Sequence, residues 1–491
     1  MMLTARPQLA PPSELQLWIG AFGDENPPAP GFAIGGQSVA PLGDTAWFEI
    51  RDKETGPTGK PINHQTVVRL PSQGPDRAHL VTVAVGNARI ERTVFSAPQA
   101  VPNTMDGSFN VLVVSCYFQR QDTEGRLGTI ISQLAVRPHM TLMAGDQVYL
   151  DLPLFEDLPE EEPALSRFIG RKYQKNFLSS ALRIAGLESA LSRAPTVCLA
   201  DDHEFWNNFP FTQYQLPGTV TQQGRDRWTL AARAMYEDYQ QGGAPGTAPA
   251  FWRLDVEPLA VLMLDTRCSR LTDFDAPSGL MASSAADAVR KWETDLMASR
   301  HDANPLIGVL AGGQALFVEK PSEIAARLKD AEYANFRQFN TVVVGALTRL
   351  ADAGVPVVFV TGDVHWGRIA EAMHVPTGRP MLYEVICSPS RLIEVPGADQ
   401  KALLANKLRG LFGKTEVWPR HDDAPDPPGR FGHRHEFTPR KCYGHKGDQV
   451  ALIQFSRFGR GAQMQVTYYP IHADREAARP VTRGPYPLLP F

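Results

Sequence analysis

Between residues 109 and 365 the chain returns six times to one pattern, a short apolar run of strand length closed abruptly by polar or ionisable residues. FNVLVVSC ends on Cys116, and MTLMAGDQVY ends on Asp146 and Tyr149. PTVCLADDHE ends on Asp201, Asp202, His203 and Glu204, and AVLMLDTRCSR on Asp265, Arg267 and Arg270. PLIGVLAGGQ closes on Gln314, and VVFVTGDVH closes on Asp363 and His365, spaced so that an extended backbone points both side chains the same way. Runs so uniformly apolar and β-branched read as strands buried on both faces. Helical stretches fit between them, among them ALSRFIGRKYQKNFLSSALRIAGLESALSRA, AADAVRKWETDLMAS and AEYANFRQFNTVVVGALTRLADAG, the last closing on Gly354. Strand and helix in alternation specify an α/β domain. In open α/β sheets ligands bind outside the carboxyl ends of the strands, and that is where the ionisable residues gather here.

The flanking segments read differently. Residues 14–103 carry the candidate strands TAWFEIRD, QTVVRLP and HLVTVAVG between Pro- and Gly-rich turns, with no helical periodicity. SAPQAVPNTMDG then reads as a linker. With 491 residues, too many for one simple core, the expectation is two domains: a β-sandwich-like N-terminal domain over 1–104 and an α/β domain over 105–491. QVALIQFSRF and AQMQVTYYP suggest antiparallel strands joined by GRG. The Pro/His-rich stretch 415–446 before them reads as a long loop. Its His433, His435 and His445 lack ligand spacing and read as solvated loop residues at the rim of a pocket. His301 reads as part of a surface turn.

Composition excludes several classes. A net charge of -4 argues against a general nucleic-acid surface, and no apolar run is long enough to cross a bilayer. Five scattered cysteines without a CxxC pair form no disulfide framework, and Cys198 and Cys387 read as buried thiols. The opening MMLTARPQLAPPSELQLW has neither an apolar core nor a twin arginine, so the expected compartment is cytoplasmic unless a leader has been removed.

Metal binding is the sharpest chemistry these strand ends offer. Cys116, Asp146, Tyr149, Asp202, Asp363 and His365 supply sulfur, oxygen and nitrogen donors. Carboxylates with imidazole suit Fe, Mn or Zn, and oxygens alone suit Ca or Mg. A strand-end Asp in a Gly-Asp turn can bridge two ions.

The order SCY, GDQVY, DDHEFWNN, LDTRCSR, GDVH resembles the alkaline phosphatase D (PhoD-like) metallophosphatases of the calcineurin-like phosphoesterase fold, over about residues 109–390 and the β-sandwich before them. The resemblance implies a four-layer αββα domain. It implies that Asp146 bridges two metal ions, that Cys116, Tyr149 and His365 complete a first site suited to Fe(3+), and that Asp202 and Asp363 hold a second ion, expected as Ca(2+), with Zn or Mn as alternatives. Asn207 or Asn208 would assist, and His203 would serve as general acid or phosphoryl contact. Arg267, with Arg270, would bind non-bridging phosphate oxygens. The reaction implied is hydrolysis of phosphate mono- or diesters by a metal-activated hydroxide, on a small-molecule or lipid-derived substrate. The alternatives are a phosphotriesterase or phospholipase-like activity at the same centre, or an inactive metal-stabilised binding module. Two departures stand out: Gln314 occupies a place where relatives offer a histidine, and LADDHE lacks their Trp.

The same residues also have plainer readings. Cys116 can be a buried thiol, Tyr149 a hydrogen-bonding partner in its turn, and Asp201 a local cap. Arg267 and Arg270 can pair with Asp265 or Glu204.

Overall fold

A computed structural model describes residues 1–104, 106–152, 158–179, 184–390, 424–471 and 479–491. All six apolar runs form strands with no exposed residue: Phe109–Val114, Met140–Ala144, Thr196–Leu199, Leu259–Leu264, Ile307–Ala311 and Val357–Thr361. They divide three and three between two large sheets. The first three pair in parallel at the middle of a ten-stranded sheet. The other three pair in parallel within a seven-stranded sheet, which continues through Arg379–Ile386, Gly367–His374 and Phe437–His445.

The two-residue period of a strand decides which core each side chain fills. Val111, Val113, Leu142, Ala144, Val197 and Leu199 meet Val261, Met263, Val309, Ala311, Val358 and Val360 in one apolar cluster shared by both sheets. The intervening Leu112, Val114, Met143 and Cys198 point the other way, onto the helices Ala164–Phe177 and Gln222–Met235. Leu262, Leu264, Leu310 and Phe359 pack on the helices Ser283–Ser299 and Gly345–Asp352. That is why these runs carry no polar alternation. Each Val, Leu, Met or Phe side chain so buried contributes about 1.5–3 kcal/mol. Trp292 of Ser283–Ser299 is fully buried and donates its indole N–H to the Ala260 carbonyl at 2.9 Å, so Trp292→Ala should cost about 3–5 kcal/mol.

The N-terminal strands belong to the same hydrogen-bonded framework. Met2–Gln8 runs parallel to Thr196–Leu199, with Gln8 opposite Thr196, and antiparallel to Glu14–Phe22, which pairs onward with Asn63–Pro71. A separate four-stranded sheet, Gln37–Ser38, Gly31–Ile34, Ala78–Val85 and Ala88–Phe95, packs on this edge. Phe32, Ile34, Val81 and Val83 there meet Leu17, Ile19, Val68 and Leu70. Hydrogen bonding therefore runs unbroken across the boundary expected near residue 104.

Three local expectations are corrected. The long helix read from 164 onward ends at Phe177, with a short helix at Leu187–Leu191. The one read from 331 opens as a tight turn, Tyr333–Asn335, and is then helical from 337, widely wound over Phe339–Val344 and regular at Gly345–Asp352. Part of the Pro/His-rich segment is a strand, Phe437–His445, recruited by the edge of Gly367–His374. Residues 415–423 of that segment lie outside the described residues. Among the described residues no helix is long and apolar enough to cross a membrane.

Candidate metal centre

Immediately after the apolar strands the backbone does something costly. Cys116, Asp146, Asp363 and His365 have left-handed φ angles, 53°, 58°, 67° and 54°, and so does Asn208 farther along its loop, 62°. For a residue with a Cβ this conformation costs roughly 1–2 kcal/mol, and such outliers gather where function requires them. The glycines of the two GD pairs let these turns close on one another. A Cβ on Gly362 would sit 2.0 Å from Ser115 Oγ and 2.5 Å from the Ala144 carbonyl, and one on Gly145 (φ 90°) would sit 2.6 Å from Asp201 Cβ.

The turns bring the expected donors together. Ligand atoms of Cys116, Asp146 and His365 lie within 4.8 Å of one another, as do those of Asp146, Asp202 and His203, and those of Asp146, Asp201, Asp202 and Asp363. Asp146 is the one residue common to all three groups. Cys116 Sγ is 3.5 Å from Asp146 Oδ2, and the Tyr149 hydroxyl is 3.4 Å from His365 Nε2. Two serines hold Cys116 in register with the GDVH turn. Ser115 Oγ and Ser388 Oγ lie 3.1 and 3.0 Å from the sulfur and accept from the backbone N–H of Asp363 and of His365, both at 3.1 Å.

The electrostatics are those of a site short of positive charge. Burial, then the neighbouring acids, pushes the carboxyls of Asp146 and Asp363 well above the usual carboxylate range. Burial followed by Asp146 and Asp363 raises the Cys116 thiol, and burial followed by Cys116 and Asp146 raises the Tyr149 phenol. For His203 burial works downward but is outweighed by Asp151, Asp202 and Asp146, so its net shift is well upward.

His203 is held from two directions. Its Nδ1 lies 2.8 Å from Asp151 Oδ1, and its backbone N–H donates to Asp146 Oδ1 at 3.3 Å. Asp151 also accepts from the Asn207 N–H at 2.9 Å. Asn208 reaches Asp202 through its backbone N–H, at 2.5 Å. Its side-chain amide is spent on the Ala326 carbonyl (2.9 Å) and the Ala331 N–H (3.0 Å).

The arginines are placed otherwise than expected. Arg267 is fully buried and forms an ion pair with Asp201, its Nε donating at 2.6 Å, while another guanidinium nitrogen donates to the Phe209 carbonyl at 2.9 Å. Arg270 donates to Gln314 Oε1 at 2.8 Å and to the Thr266 carbonyl at 3.0 Å. Gln314 is fully buried and occupied by that contact. His433 lies against the Asn340 carbonyl at 2.6 Å, His445 stands opposite Gly367 in the seven-stranded sheet, and His301 accepts from Arg300 on the surface.

Four acids here went unread in the sequence or were read only as ion-pair partners. Asp151 orients His203, and Glu204 binds the backbone of two turns. Asp330 Oδ1 and Glu332 Oε2 are buried atoms without a hydrogen-bond partner. Burial, then Asp202, pushes Asp330 up to about 7, and burial, then Asp330, pushes Glu332 up to about 8. The stretch LKDAEYANF carries no local signal for this; only the fold brings it against Asp202.

No family model matches this sequence, and no curated protein matches it. Among solved structures, one described as the structure of PhoD superposes with a TM-score of 0.58 at 14% identity, over 98% of this chain and 88% of that one. The chain has the PhoD-like fold. A structure of GAP50, the anchor in the inner membrane complex of Plasmodium, aligns at 10% identity over 74% of this chain and 85% of that one, with a TM-score of 0.32, too low to carry weight.

Proposed function

We propose that this protein hydrolyses phosphate esters at a two-metal centre bridged by Asp146. The observation that carries the reading is the presence of Asp146 in all three donor groups, since a carboxylate shared between adjoining pockets is what a bridging ligand requires. The donor set fits metal ions chemically. Burial and the neighbouring acids raise the proton affinity of Asp146 and Asp363, which a bound cation would relieve, and a thiol, a phenol and an imidazole complete one side. Asp146, Cys116, Tyr149 and His365 would hold one ion, for which Fe(3+) is the proposal. Asp146, Asp202 and Asp363 would hold the other, proposed as Ca(2+). Bound there, the ions would supply an acidified water and charge neutralisation at the phosphoryl group.

The protein's own residues do the rest. Asp151 fixes the His203 ring through Nδ1 and favours its protonated form, leaving Nε2 as the atom to donate a proton to the departing oxygen. The backbone N–H of Asn208 holds one oxygen of Asp202, leaving the other for the ion. With Arg267 and Arg270 engaged elsewhere, the phosphoryl oxygens are left to His203 and the ions. The ordered His203–Asp151 pair favours a working enzyme over an inactive binding module. The same reading includes the four-layer αββα arrangement and a small-molecule or lipid-derived substrate.

Elemental analysis of purified protein, with a panel of phosphate mono-, di- and triesters assayed before and after chelation, tests it. Bound metal and chelator-sensitive hydrolysis of mono- or diesters are expected. Triester turnover alone would move the assignment to a phosphotriesterase, and a metal-free protein inert on the whole panel would overturn it.

A further inference from the structure

Glu204 belongs to none of the three donor groups, yet its carboxylate touches the backbone of both turns that carry Asp146 and Asp202. Its Oε2 accepts from the Asp146 N–H at 2.9 Å and from the Asp201 N–H at 2.8 Å. Its Oε1 accepts from the Gln147 N–H at 2.6 Å and from Gln240 Nε2 at 3.3 Å. The side chain is fully buried. Gly145 and Asp146 are successive left-handed residues, and the N–H groups of Asp146 and Gln147 converge on one carboxylate. Consecutive backbone N–H groups aimed to one side form a concavity that takes an anion. Here the anion is part of the chain, and its third backbone donor comes from the neighbouring strand end.

We propose that Glu204 is a positioning residue: an internal anion that holds Asp146 in its left-handed conformation and sets the spacing between the Asp146 and Asp202 turns. The inference rests on the metal-site reading above. Without this carboxylate, three buried N–H groups lose their acceptor and Asp146 loses what pins its backbone. The effect on the ions is indirect, because Glu204 orients the residues that would hold them. Outer partners of this kind typically change metal affinity about 10- to 100-fold.

Glu384 supplies a matched control. It is also fully buried, accepts from the backbone N–H groups of Leu316 (2.7 Å) and Phe317 (2.9 Å) and pairs with Arg368, but it supports no donor-bearing turn. In Glu204→Gln the amide nitrogen faces N–H donors whichever way it is turned. Titration calorimetry of chelated full-length protein with Mn(2+) alone should show affinity about 10- to 100-fold below wild type for Glu204→Gln, and near wild type for Glu384→Gln. Glu204→Asp keeps the charge but withdraws it by one methylene. It should also bind Mn(2+) more weakly, and it carries the test where the Gln variant does not fold. A Glu204 variant whose metal-free melting temperature falls while its Mn(2+) affinity stays at the wild-type value would overturn the proposal. Should wild type hydrolyse no phosphate ester while the Glu204 variants still lose affinity, positioning stands and the phosphatase reading falls. Should wild type be active and both Glu204 variants bind Mn(2+) as it does, positioning alone falls.

Discussion

On one side of Asp146 stand a thiol, a phenol and an imidazole; on the other stand Asp201, Asp202 and Asp363, with Asp330 and Glu332 close behind. On the first side burial holds the thiol and the phenol in their protonated forms. The second gathers carboxylates, and Asp201 there has a built-in cation, Arg267. Each side therefore selects its own kind of ion. Thiol and phenol, both raised by burial, call for an ion acidic enough to displace their protons, whereas a set of carboxylate oxygens suits a hard ion without that demand. Asp146 belongs to the donor groups of both sides.

The largest expected effect comes from removing that shared group. Asp146→Ala should lose metal from both sides and all measurable phosphoester hydrolysis, while His365→Ala should deplete only the thiol side, as metal content per chain would show. Equal depletion in both variants would erase the distinction between the sides.

Next is His203, which adjoins both. His203→Ala should keep its metals and lower kcat by roughly 10²–10⁴, the range general acid–base assistance supplies. The loss should be steepest for esters whose alcohols leave poorly. A uniform loss across leaving groups would make His203 a phosphoryl contact instead of an acid.

Arg267 tests the charge balance of the acidic side. Arg267→Met strands Asp201 as a buried unpaired acid, and removing one member of a buried pair costs about 3–5 kcal/mol, which urea unfolding would register. A variant of normal stability with a raised KM would return Arg267 to the phosphate.

The smallest effect is in pH. Asp330 and Glu332, at about 7 and about 8 when folded, hold protons more tightly than in the unfolded chain, where carboxyls titrate near about 4. The folded state therefore binds more protons across that interval, and its stability falls as pH rises from about 4 through about 8. Chelated protein should melt at a lower temperature at pH 8.5 than at pH 5.5, and metal should remove the difference. A flat profile without metal would mean that the acidic side is not the strained one.

How much of this was legible in the sequence depends on the range of the interaction. The six apolar runs were readable because burial on both faces writes itself into consecutive residues, and the donors at their ends followed. The Glu204 carboxylate lies among those ends, but nothing local says that it turns back to the N–H groups of Asp146 and Gln147. Arg267 offered several partners, and only the packed fold chose Asp201 over Asp265 or Glu204. Asp330 sits in a stretch with no pattern, and Phe437–His445 became a strand because an edge was waiting for it. The pairing of Gln8 with Thr196 is of the same kind, since register between distant segments leaves no periodic trace.

That last pairing bears on the order in which the molecule can come together. The parallel strands that present Cys116, Asp146 and Asp202 lie mid-sheet, flanked by Met2–Gln8 on one side and Gln449–Phe458 on the other. The hairpin of Met2–Gln8 with Glu14–Phe22 can form from neighbouring residues alone, but its end at Gln8 gains its parallel partner only when Thr196 arrives. Closing loops of this size before any contact rewards them makes for slow folding, and an open strand edge is an invitation to wrong partners while it waits. The turns bearing the acids thus get both strand neighbours only once distant parts of the chain have met, so activity should be among the last properties recovered on refolding.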